Sequence, residues 1–158
     1  MQEEIVVKVP TTEALTPAQI TQKAEDLGVT KTEMSFGRSF ALSIMAGAFI
    51  AMGAMFFSLV VGDPALPFAI QRVLGGFLFC LGLILVVVAG AELFTGNTMI
   101  VMTAASKRIK WSAVWKNWIV VFFGNFLGAL VIVGLVFLSD MSAMRWPGGS
   151  DHGQRGRW

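Results

Sequence analysis

Glu92 is a carboxylate where an apolar helix is expected. It lies in Val87-Val88-Ala89-Gly90-Ala91-Glu92-Leu93-Phe94-Thr95-Gly96-Asn97, after which Thr98-Met99-Ile100-Val101-Met102 turns apolar again. A carboxylate at membrane depth is expensive and faces protein or water rather than lipid. The Gly and Asn residues around it break the helix and free backbone groups that lipid cannot satisfy. Broken backbone at that depth is tolerated only where it packs in protein or lines a wet cavity. Discontinuous helices of this kind mark substrate sites in transporters. These residues therefore predict a membrane protein with a polar break beside a pathway.

The composition supports a membrane setting. Of 158 residues, 55% are hydrophobic and 14% charged, whereas soluble domains average about 45–50% apolar and about 25% charged. A formal charge of +2 is too small to argue for nucleic acid, and no basic stripe is interleaved with aromatics. Cys80 stands alone in an apolar run, so it forms no internal disulfide and reads as a small membrane-helix residue. There is no Cys/His cluster for a metal and no Ser/His/Asp set on ordered elements. The glycines of the second apolar segment follow no strand, which removes a nucleotide loop. No enzyme, metal or cofactor is expected. His152, the one histidine, falls in an unpatterned tail and reads as solvated. The polar, acidic N-terminus is not a secretory signal.

The expected architecture is an all-α membrane protein with three transmembrane helices, the second of them broken. Residues 1–37 form a polar, cytoplasmic segment. Within it Thr16-Pro17-Ala18-Gln19 supplies an N-cap, a Pro at the first helical position and a capping box. A short amphipathic helix over 17–27, ended by Gly28, is predicted to lie at the membrane surface, as a tether or as a gate. Residues 38–138 form a transmembrane half-domain with crossings at about 40–61, 68–105 (broken near 91–97) and 115–138. About 22 apolar residues suffice to cross a ~30 Å core. Ser43, Gly47 and Ala51 make one small-residue face and Gly53 extends it on a neighbouring face. Gly124 and Gly128 give a GxxxG spacing in the third crossing. Such faces let helix backbones approach closely. Asn117 and Asn125 are eight apart and lie near one face, as interhelical hydrogen bonders or as pore lining. The loop Ser106-Lys107-Arg108-Ile109-Lys110, followed by Lys116, is cytoplasmic by the positive-inside rule, which also places the N-terminus inside. Residues 139–158 are Gly/Arg/Trp-rich without periodicity and read as a disordered tail.

Val87 to Gly96 also resembles the signature of the formate/nitrite transporter family: two aliphatics, any residue, Gly, a small residue, an acidic residue or Ser, Leu, Phe/Ile, Thr/Asn, Gly/Ser. All ten positions fit. The flanks agree, with Ala46-Gly47-Ala48-Phe49-Ile50-Ala51 in the first helix and Lys116-Asn117-Trp118 leading to Gly124-Asn125 in the third. The resemblance covers about residues 14–140, the first half of what the family has. It implies an aquaporin-like fold of six crossings in two inverted halves, assembled as pentamers in a prokaryotic inner membrane. It further implies passage of a small anion such as formate, nitrite or hydrosulfide, coupled to or assisted by a proton. By the same resemblance Phe79 and Leu83 fall at apolar pore constrictions, Thr95 at the loop threonine facing a central histidine, and Glu92 at the acidic signature position. Glu92 is expected to anchor the loop backbone, with Gly90, Gly96 and Asn97 shaping it; proton handling is its alternative role. Phe79 and Leu83 are four apart and share a helix face. A dry constriction penalises a bare anion heavily and favours its protonated, neutral form. The bland alternatives are helix or lipid packing for the two apolar residues and loop capping for Thr95.

The sequence departs from the family pattern by lacking the second half, with its broken helix and histidine. The expectation is therefore a truncated half, inactive by itself. Two further readings stand beside it: an antiparallel homodimer that rebuilds the channel, and a non-transporting membrane scaffold or partner-binding subunit.

Overall fold

The first helix, α1 (Pro17–Glu33), starts as the capping box requires. The Gln19 amide donates to the Thr16 hydroxyl at 3.4 Å, and the Thr16 amide donates to the Gln19 side chain at 2.8 Å. The computed structural model describes residues 15–139. The predicted tail over 139–158, with His152, lies outside the described residues apart from Ser139. Helix α1 does not end at Gly28, as the sequence suggested, but continues to Glu33. Glycine inside a helix costs about 1 kcal/mol relative to alanine. Here packing offsets that penalty: Gly28 is buried against Thr103, and a Cβ at that position would overlap the threonine side chain.

Three long helices follow: α2 (Phe36–Val61), α3 (Phe68–Ala89) and, after two short pieces, α6 (Trp111–Leu138). They contain 26, 22 and 28 residues. At 1.5 Å per residue each is about 33 Å or longer, enough for a ~30 Å hydrocarbon core, and each is apolar enough to cross a membrane. Helices α2 and α6 begin earlier than the apolar runs at 40 and 115 indicated. Apolarity marks only the membrane-embedded length, and the helices extend back through Arg38 and Ser112, whose side chains are exposed. Among the described residues there is no strand.

Helix α2 is the centre of the packing, with α3 on one side and α6 on the other. Small residues make both contacts. A Cβ on Gly47 would overlap the Asn125 backbone, one on Gly128 the Ile44 carbonyl, and one on Gly124 the Ser43 side chain. Gly53 faces the Phe79 carbonyl and Gly82 across the α2/α3 contact. Without a hydrophobic drive between helices in lipid, such close backbone contact supplies the packing. The large apolar side chains point outward: Val73, Phe77, Val88 and Phe137 are all more than 70% exposed. Exposure on that scale suits a hydrocarbon surround, not water.

Candidate functional site at the break in the second crossing

Helix α3 stops because Gly90 adopts a left-handed conformation, φ 62°. An L residue with a Cβ is strained there, and a left-handed Gly is the usual helix terminator. The Ala91 amide closes back on the Val86 carbonyl at 2.9 Å. Residues 91–93 are non-helical; then come α4 (Phe94–Asn97), a turn at 98–99, and α5 (Ile100–Ala105). The second crossing is thus broken, with a helical turn inside the stretch that the sequence suggested as loop.

Neighbouring helices satisfy the freed backbone. The Glu92 amide donates to the Leu42 carbonyl of α2 at 3.2 Å. Asn125 of α6 adds three bonds. Its Oδ1 accepts from the Phe94 amide at 2.9 Å, while its Nδ2 donates to the carbonyls of Glu92 at 2.9 Å and Ser43 at 2.8 Å. One side-chain amide therefore joins the break to both α2 and α6.

A second cluster surrounds the Glu92 carboxylate, which is buried. Oε1 accepts from Lys31 Nζ at 2.7 Å and Oε2 from Asn97 Nδ2 at 2.7 Å. Lys31 also donates to Asn97 Oδ1 at 2.8 Å. Asn97, fully buried, passes its Nδ2 to Asn117 Oδ1 at 2.9 Å as well, and its carbonyl accepts from Trp118 Nε1 at 3.0 Å. Asn117 reaches back to the Lys31 carbonyl at 3.5 Å. Among the described residues no buried side-chain nitrogen or oxygen lacks a partner. A buried charge is tolerable only when paired and hydrogen-bonded, and a fully satisfied network of this kind rigidifies its surroundings.

The Glu92 carboxylate holds side chains of α1 and α4, while Asn125 and Leu42 hold the loop backbone. Asn117 and Asn125, two candidates of one face, serve two different clusters. Lys31 was not singled out from sequence because α1 was expected to stop at Gly28. Once the helix continues, Lys31 lies one turn beyond Gly28 on the same face. Its partner Glu92 lies 61 residues away, and nothing in the sequence around Lys31 pointed to it.

Phe79 and Leu83 are 39% and 49% exposed, and Thr95 is exposed. The Phe79 ring meets Phe57 edge-on, centroids 6.5 Å apart. These three pathway candidates lie on open surface and do not meet in an enclosed cavity. Gly96 sits within α4 with open space around it. Beside the break an apolar groove of about 860 Å³ runs between α2 and α6, with Gly47, Leu93, Phe94 and Asn125 in its wall. Among the described residues no group of three His, Cys, Asp or Glu side chains is placed to hold a metal.

Helix α1 has a second attachment, to the loop after α5. Arg108 pairs with Asp26 at 2.6 Å and Glu25 at 3.4 Å, and the Ser106 hydroxyl donates to Glu25. The Asp26 carboxylate, hydrogen-bonded to the Arg108 guanidinium, raises its pKa above the ordinary value.

Residues 18–152 match the family model described as formate/nitrite transporter. The chain is 44% identical over 126 residues to the formate channel FocA of Escherichia coli strain K12, covering 79% of this chain and 44% of that protein. It is 35% identical over 130 residues to FocA of Haemophilus influenzae, covering 82% and 46%. To the probable formate transporter of Methanothermobacter thermautotrophicus it is 30% identical over 140 residues, covering 85% and 51%. The chain spans about half the length of the curated relatives it matches. With three apolar helices long enough to span a bilayer and a matching family model over most of its length, this integral membrane protein belongs to the formate/nitrite transporter family.

Proposed function

We propose that this chain forms one wall of a transmembrane pathway for a small monovalent anion, formate or nitrite, with Phe79, Leu83 and Thr95 on the pathway side. The observation that carries the reading is the broken second crossing, whose backbone is held by Asn125 and whose Glu92–Lys31–Asn97 cluster is fully satisfied. Such a break fixes the position of Thr95, which is exposed and free to meet a solute. Phe79 and Leu83 share the exposed face of α3 and would form its dry constriction, through which the protonated acid passes more readily than the bare anion. The names of the relatives, formate channels and a probable formate transporter, support formate as the passenger.

Among the described residues Phe79, Leu83 and Thr95 lie on open surface, so the three-helix unit does not enclose a pathway by itself. A second unit of inverted orientation supplies the other wall, and the completed protomers assemble as a pentamer in the plasma membrane of a prokaryote, N-terminus cytoplasmic. The test is formate flux in proteoliposomes. The purified chain alone is expected to give none. The chain reconstituted with the portion of the E. coli formate channel that it does not match is expected to conduct. Robust flux from the chain alone, paired in no larger assembly, would sink the one-wall reading.

A further inference from the structure

A second groove, of about 510 Å³, opens where α2 and α6 begin and α1 ends. Its wall carries four cations, Lys31, Arg108, Lys110 and Lys116, and one acidic side chain, Glu33. Lys31 is engaged by Glu92 and Asn97, and Arg108 by Asp26 and Glu25. Lys110 and Lys116 are exposed and, among the described residues, have no ion-pair partner. Phe36 lines the same groove and is 62% exposed. Trp111 and Trp115, in the first turns of α6, are also more than half exposed.

We propose that this groove binds the headgroup of an anionic phospholipid, its phosphate between Lys110 and Lys116 and its upper acyl chains against Phe36, with Trp111 and Trp115 at the same membrane level on the neighbouring face of α6. Position argues for lipid. Two membrane-spanning helices begin here, so the groove sits at the level where hydrocarbon gives way to headgroups. Exposed Trp at such a level anchors to the interface, and long Lys side chains extend their ammonium groups into it. Basic pockets between helix ends recognise anionic headgroups, each cation adding about fivefold in affinity. Size argues against the small anion as occupant. Formate would leave most of a 510 Å³ groove to water and would make no use of Phe36 in its wall. The site borders the break, sharing Lys31 and Asn117 with its cluster, but its free cations Lys110 and Lys116 take no part in that cluster and the proposal does not depend on the chain conducting anything.

The experiment is fluorescence quenching of the full chain in nonionic micelles. The probes are phosphatidylglycerol and phosphatidylcholine with brominated acyl chains, which quench Trp on contact. Phosphatidylglycerol is expected to quench at a roughly tenfold lower lipid fraction, and raising the salt concentration is expected to shrink that preference. The double variant Lys110→Gln, Lys116→Gln is expected to bind both lipids alike with an unchanged helical circular-dichroism spectrum. Lys107→Gln, a nearby exposed lysine outside the groove wall, is expected to leave the preference intact. Inorganic phosphate or formate at millimolar concentration should not relieve quenching. Equal quenching of the native chain by the two lipids overturns the proposal without recourse to any variant. So does a preference that survives in the folded double variant, or relief by phosphate or formate.

Discussion

The ammonium group of Lys31 lies 2.7 Å from the Glu92 carboxylate, across 61 residues of sequence. This contact fastens the end of α1 to the middle of the broken crossing. Lys31 is about a quarter exposed and Glu92 almost fully buried, so the pair behaves more like a buried bridge than a surface one. Replacing one partner strands a buried charge, which is far worse than replacing both. Lys31→Met is therefore expected to destabilise the folded chain by about 3 kcal/mol. The double variant Lys31→Met, Glu92→Gln is expected to recover much of that loss, because the amide still accepts from Asn97. Thermal unfolding in detergent checks this; equal stability of the single and double variants would show that the charge pair is not what Glu92 is there for.

Much of this arrangement was legible beforehand, for local reasons. Thr16-Pro17-Ala18-Gln19 encodes its helix start within four residues, and the three apolar lengths encode their own helicity. The break at Glu92 was legible because a carboxylate and Gly90 interrupt apolar sequence. The partners of that break were not. Asn125, Asn117 and Lys31 meet it only through tertiary packing, and nothing in their own neighbourhoods says which groups of the break they satisfy. The end of α1 was misread for the same reason: Gly28 terminates a helix in isolation but fits here because Thr103, far along the chain, needs the space. Likewise the groove beside α6 arises from three chain segments whose meeting no periodicity reports.

Asn125 offers a second test, because one side chain serves three backbone groups. Asn125→Leu keeps the approximate size and removes every one of those bonds. An unsatisfied buried polar group costs about 1–3 kcal/mol, and the Phe94 amide and the Glu92 carbonyl are the exposed parties to that loss. A drop of about 3 kcal/mol or more in unfolding free energy is expected, together with faster hydrogen exchange at the Phe94 amide. Protection unchanged at Phe94 would mean that the loop is held by Leu42 and the Glu92 cluster alone.

The glycines can be separated by what surrounds them. A Cβ at Gly128 runs into the Ile44 backbone, whereas one at Gly134, on the same helix, meets nothing within 4 Å. Gly128→Ala is expected to destabilise by about 1–3 kcal/mol through overpacking. Gly134→Ala is expected to be neutral or to stabilise by about 0.5–1 kcal/mol, since alanine favours the helix. The pair shares chemistry and helix, so propensity cannot account for opposite signs. The same direction of change at both positions, measured by thermal unfolding, would remove close α2/α6 contact as the reason for Gly128.

Thr95 separates function from stability. Its side chain is exposed, and among the described residues its hydroxyl makes no hydrogen bond within the protein; only its carbonyl is used, by Thr98 at 2.6 Å. Surface substitutions of this kind usually stay within about 0.5 kcal/mol, so Thr95→Ala is expected to leave unfolding unchanged. In the pathway we propose, completed by its second wall, the hydroxyl would be a donor at the break, where a passing acid would have shed most of its water. Losing a hydrogen bond there costs about 1–1.5 kcal/mol, so formate flux is expected to fall roughly tenfold. Thr95→Ser keeps the hydroxyl and should retain most of the flux. Stopped-flow uptake in proteoliposomes distinguishes the cases. Flux that ignores both substitutions would leave Thr95 a bystander on the loop, whereas a fall in stability with either would return it to a structural role.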